Sequence, residues 1–164
     1  MKKILNKKGS IQDIAFLAVL IFFIGIVILI SFKVSTEYNT NIQANTNIPN
    51  EAKIASSQIK EFFPGVVDNT ILFLVIGIGI VSLAMASLVK VHPVFIVFFL
   101  IGLVFITFLS ATFSDVYEEI SLNPSLSSEV SELTNISFIV KTAPIFIFVL
   151  GLILMFIMYN VGKD

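Results

Sequence analysis

Cysteine is absent from the 164 residues, and so are tryptophan and arginine. Without cysteine there is no disulfide framework, no thiolate metal site and no cysteine nucleophile. A single histidine excludes a multi-histidine metal centre. Charge is scarce as well. Only 13% of residues are charged and 57% are hydrophobic, against about 25% and about 45–50% in an ordinary soluble domain. Mean hydropathy is +1.01. By length this is one small domain, but it has too little polar surface to cover its apolar mass in water. What remains is a membrane protein.

The apolar residues gather in four runs: Ile11 to Phe32, Ile71 to Val89, Val94 to Phe113, and a stretch within Phe138 to Val161. Each is near the ~20 residues that a helix needs to cross a ~30 Å hydrocarbon core. Lipid leaves only helices and closed barrels, since every backbone polar group must be satisfied internally. The runs are continuous and lack the alternation of barrel strands. The reading is therefore all-α, a polytopic four-helix transmembrane bundle. It forms a single integral membrane domain over residues 1–164, with spans at about 11–33, 67–90, 93–114 and 142–161. Outer loops at 34–66 and 115–141 carry short amphipathic interfacial helices.

Lysine placement sets the orientation. Lys2, Lys3, Lys7 and Lys8 precede the first span, Lys90 and His92 occupy the short turn between the second and third, and Lys163 follows the fourth. The 115–141 connection carries Asp115, Glu118, Glu119, Glu129 and Glu132, with Lys141 only at its far end. The positive-inside rule then puts both termini inside and the two longer connections outside. Lys33 and Lys141 lie near outer span ends and can snorkel. The first span is too long for a signal-peptide core and lacks an evident cleavage site, so it reads as a retained anchor.

Residues 35–50 are rich in asparagine and read as an irregular loop. Asn50 is a candidate cap for an amphipathic helix with Ala55, Ile59, Phe62 and Phe63 on one face. This helix is expected to lie on the interface or pack on the bundle, and to end at Pro64-Gly65. Asp68 is the expected N-cap of the second span. Pro93 opens the third, which is expected to continue through Ser114 to Ile120 before Asn123-Pro124 breaks it. Ser128 is a candidate cap for a short helix. Pro144 suggests that the fourth span begins near Thr142-Ala143-Pro144.

An ionisable group at mid-span would mark a functional site, and none is present; Asp13 lies at the inner end of its span. This argues against proton-coupled transport, charged-filter pores and intramembrane hydrolysis. No catalytic, cofactor-binding or metal-binding residue is assigned, and no nucleic-acid partner. His92 has no second ligand and no paired base, and the Glu118-Glu119 pair reads as a solvated face. Asn135-Ile136-Ser137 fits a glycosylation sequon. Small residues carry more information. Ala15, Ala18 and Gly25 share a face in span one; Gly79, Ser82 and Ala86 share one in span two. Such stripes allow close helix approach, here between spans one and two, or between copies. The outer acids Asp115, Glu118, Glu119, Glu129 and Glu132 form a candidate partner-facing loop.

Two resemblances add to this. Lys7-Lys8-Gly9-Ser10-Ile11-Gln12-Asp13 resembles the leader of type IV pilin-like proteins, which implies processing between Gly9 and Ser10. The acid stands one residue earlier than in that family, and three further spans follow. From residue 70 onward, the order of an apolar span, Lys90-Val91-His92-Pro93-Val94-Phe95, another span, Asp115-Val116-Tyr117-Glu118-Glu119 and a proline-led final span resembles small membrane proteins of archaea and of viruses with membrane-containing particles. That resemblance implies a structural component of a virion or cell-envelope membrane. The expected function is non-enzymatic: a multi-copy protein whose partners are the lipid bilayer, further copies of itself and a shell or envelope protein. The alternatives are an oligomeric pore or lysis protein, and an accessory subunit of a pilus-like or secretion machine.

Overall fold

A computed structural model describes residues 11–88 and 92–161. Six α-helices make up the fold: α1 (Ile11–Ala44), α2 (Asn50–Phe62), α3 (Asp68–Ala86), α4 (Pro93–Ser121), α5 (Ser127–Glu132) and α6 (Thr134–Val161), with a π turn at Phe63–Val67 joining α2 to α3. No strand occurs among the described residues. Four helices are long and apolar enough to cross a membrane: Ala18–Ala44, Asn50–Ala86, Val94–Ser121 and Thr134–Val161. The chain is an all-α membrane protein. The end bearing the two longer connections is called outer below.

All four helices run past the expected spans on that side. α1 is 34 residues long, about 51 Å at ~1.5 Å per residue, well beyond the hydrocarbon. The expected irregular loop at 35–50 is thus helical to Ala44. Its polar residues find partners that keep them there: the Thr40 hydroxyl donates to the Thr36 carbonyl, and Gln43 reaches α2. The chain turns only at Asn45–Pro49, where the Asn45 side chain accepts the Asn47 N–H at 2.9 Å. Asn50 is the first residue of α2 and makes no cap; Pro49 stands at the cap position.

α2 doubles back along α1, and the contact runs opposite to its amphipathic pattern. Ser56 is the buried residue of α2, while Ile59 and Phe62 are exposed. Phe63, just beyond α2, stacks on Phe32 of α1 with ring centroids 5.5 Å apart. Pro64-Gly65 does not end the helix. The π turn absorbs both residues, with the Asp68 N–H reaching back to the Phe63 carbonyl. The Asn69 amide donates to the Gly65 carbonyl at 2.9 Å, so the ladder stays satisfied and α2 runs into α3 without a break.

α4 does continue through Ser114 to Ile120, ending at Ser121. His92 is its cap, the imidazole Nδ1 accepting the Val94 N–H at 3.3 Å. Ser128 does not cap α5; its hydroxyl donates to Glu129. α6 begins at Thr134, before the expected start, and carries Pro144 inside it. The missing proline N–H costs one ladder bond. Around it the Thr142 hydroxyl donates to the Phe138 carbonyl at 2.7 Å, and the Ser114 hydroxyl of α4 donates to the Lys141 carbonyl at 3.1 Å.

α6 is the hub. It packs on α4, α3 and α1, and α4 also packs on α1. Two apolar clusters follow from this. The outer one gathers Leu29, Phe32, Tyr117, Leu133, Ile136 and Val140. The inner one gathers Ala18, Ala86, Leu103, Ile106, Ile147 and Leu154. α1 and α3 flank an apolar cleft whose floor is α6.

Candidate functional site

Among the described residues, the outer ends of the helices carry the organised polar chemistry: beside the α1–α2 bonds of Gln43, three ties stand out. The first joins α3 to α6. Asp68 is 2% exposed. Its carboxylate accepts the Asn135 N–H at 2.9 Å and the Ile136 N–H at 2.7 Å. These are first-turn N–H groups of α6, which have no partner inside their own helix. Asp68 therefore caps α6 rather than its own helix, where an anion is also favoured by the helix dipole. Next to it, the Asn69 side-chain carbonyl accepts from the Asn135 amide at 2.9 Å. The sequon asparagine is engaged in this tie. Its serine, Ser137, pairs with the buried Tyr117 hydroxyl at 3.1 Å.

The second tie joins α1 to α5. Lys33 lies 3.5 Å from Glu129 and 3.5 Å from Glu37. Glu129 is 2% exposed and also accepts from the Ser128 hydroxyl at 2.8 Å. Burial pushes its carboxyl pKa up. The Ser128 hydroxyl, the glutamate's own backbone N–H and the Lys33 ammonium outweigh this and hold it below the ordinary carboxylate range. The third tie is more exposed: Lys141 of α6 stands 3.6 Å from Glu118 of α4.

The five outer acids are therefore not one surface. Asp115, Glu118, Glu119 and Glu132 are exposed, Glu118 being paired with Lys141. Glu129 points inward and is a structural anchor. A buried acid in a short polar helix leaves no periodic signal, and its partner Lys33 reads in the sequence only as a lysine snorkelling at a span end.

The small residues are also split. Gly25 meets α6: a Cβ there would lie 2.7 Å from Val140 Cγ2. Gly79 meets α6 too, its would-be Cβ 3.4 Å from the Phe146 ring. Gly25 and Gly79 thus pack on a common partner, α6, while one residue of each stripe, Ala18 and Ala86, falls in the same inner cluster. Ala18 and Ala86 are buried in the inner cluster, and Ser82 is half-buried. Ala15 lies on α1 with its side chain outside the described residues, and Gly9 and Ser10 lie outside them altogether. One small residue was missed. A Cβ on Gly151 would overlap the Leu103 side chain, 2.8 Å from its Cδ2. Ala143, Ile147 and Gly151 share one face at four-residue spacing, and that was the available signal.

Among the described residues no three His, Asp or Glu side chains gather as a metal-ligand group. Compared with known proteins, the chain matches no family model, no curated protein and no solved structure.

Proposed function

We propose that this chain is a non-enzymatic structural protein of a virion or cell-envelope membrane, present in many copies, which docks an outer shell or partner protein through its outer cap. In this reading both termini lie on the inner side and the cap faces outward. The carrying observation is the cap itself. The Asp68 and Glu129 ties fasten it to the spans, while Asp115, Glu119 and Glu132 stay exposed on it. A firmly held acidic surface on an apolar bundle suits a basic partner face, because complementary charge steers and registers docking.

Cross-linking and quantitative mass spectrometry on native membranes or particles test this. The expected result is a high copy number and salt-sensitive cross-links from the cap to a basic partner. Replacing Asp115, Glu119 and Glu132 together by lysine should abolish those cross-links. A rare, monomeric species would overturn the reading. So would a steady conductance in planar bilayers, which would instead mark a pore.

A further inference from the structure

α2, the π turn and α3 form a single helix of 37 residues, Asn50–Ala86. Asp68 stands at its midpoint, with residues 50–67 on one side and 69–86 on the other. Each arm is about 27 Å long at ~1.5 Å per residue. The midpoint is the one place where buried charge fixes this helix to another: the Asp68 carboxylate grips two backbone N–H groups of α6, and Asn69 adds a third bond.

The arms on either side have no buried charged tie. The outer arm rests on α1 through polar groups along most of its length and, close to the pivot, through the Phe63–Phe32 stack. Gln43 donates to the Lys53 carbonyl at 2.9 Å and to the Ser57 hydroxyl at 3.1 Å, and the buried Ser56 hydroxyl has no partner. The inner arm packs on α6, yet Asn50–Ala86 is the least buried of the four spanning helices. In the most apolar window of Asn50–Ala86 only 11% is buried, against 33%, 22% and 28% in the other three spanning helices. A Cβ on Gly77 would touch nothing within 4 Å. Between this arm and α1 lies the apolar cleft, with Leu20 and Ile24 on one wall and Leu74 and Ile78 on the other. The bundle beneath is firm, since Gly25 abuts Val140 and Gly151 abuts Leu103.

We propose that Asn50–Ala86 is a lever pivoting on Asp68. When the outer arm leaves α1, the inner arm swings toward α1 and closes the cleft. The π turn does not uncouple the arms, because its carbonyls are bonded through and the helix is continuous. Hinge and shear motions of this kind need two packed arrangements joined at a fixed point. The proposal is independent of what docks on the cap.

The chain has no cysteine, so paired cysteines take spin labels cleanly in the full chain reconstituted in lipid vesicles. Tyr38→Cys with Gln58→Cys reports the outer arm. Val27→Cys with Val81→Cys reports the inner arm, and Val27→Cys with Val104→Cys is the fixed reference; all five sites are exposed. Ser56→Leu pries the outer arm from α1 by bulk, and Gln43→Ala loosens it without bulk. The expected result in either variant is a longer outer distance and an inner distance shorter by a similar amount, because the arms are equal, with the reference unchanged. A longer outer distance with an inner distance that stays or grows overturns the lever in favour of independent arms. An outer distance that moves in neither variant overturns it as well.

Discussion

At its outer end, α6 is held by the Asp68 carboxylate sitting on two of its backbone N–H groups. At its inner end, the same helix is held by Gly151 slipping beneath Leu103. The contrast runs through the molecule. Outside, Lys33–Glu129, Tyr117–Ser137 and Asn69–Asn135 are polar pairs between elements far apart in sequence. Inside, the cluster of Ala18, Ala86, Phe99, Leu103 and Ile147 contains no charge. The reason is the surroundings. Lipid tails are as apolar as leucine, so inner packing gains from close fit rather than from leaving water. At the outer ends water competes for every polar group, and only buried, paired ones stabilise.

That contrast can be broken from either side. Asp68→Ala should have the largest effect, because it leaves one buried and one part-buried N–H group unpaired and removes a cap. A loss of about 2–4 kcal/mol is expected, read as a lower midpoint when unfolding is followed by circular dichroism in mixed micelles. Gly151→Ala should follow, at about 1–3 kcal/mol from overpacking. Gly77→Ala, into open space, should be neutral or slightly stabilising by helix propensity. If both glycine variants behave alike, close approach is not what holds the inner half.

Glu129→Gln should cost about 1–2 kcal/mol at neutral pH, less than for a wholly buried pair because Lys33 remains partly exposed. The effect should also depend on pH. Glu129 titrates lower in the native protein than in the unfolded chain, so the unfolded chain binds its proton more tightly. The stabilisation is complete above the unfolded value of about 4.3. It is lost as pH falls through the lower native value. Melting of native and Glu129→Gln proteins should therefore differ most above about pH 4.3 and converge only below the lower native value. Glu118→Gln should cost least, at about 0–1 kcal/mol, since both it and Lys141 are exposed. A large effect there would mean that exposed pairs matter as much as buried ones.

The spans were legible in the sequence, because a run such as Val94 to Phe113 has one physical home. The outer architecture was less so. Asn39 and Thr40 disfavour a helix locally, yet Asn39 accepts from Ser57 of α2, Gln43 donates to α2, and Thr40 bonds back to Thr36. Pro64-Gly65 breaks a helix by rule, and the π turn with Asn69 absorbs it. Asp68 reads as the cap of its own helix because the residues it does cap lie 67 and 68 positions away. Glu129 looks solvent-facing among its serines until Lys33 is seen beside it. Asp68 and Glu129 depend on distant partners, which periodicity does not record, and the π turn depends on a local side-chain bond that helix-breaking rules leave out. The small-residue stripes were visible, but the partner that Gly25 and Gly79 share, α6, was not.

The π turn carries a further consequence. One extra residue in a helix turns everything beyond it by about 100°. Phe63–Val67 is thus a phase shift in the chain, setting which side of α3 meets α6 for a given face of α2 on α1. Length changes in the Asn45–Pro49 turn should alter only the tip of the hairpin. Deletion of a single residue within 63–67 would rotate Gly79 away from Phe146 and carry Asp68 off the start of α6, so one lost codon there would change which face the whole third helix shows to its neighbours.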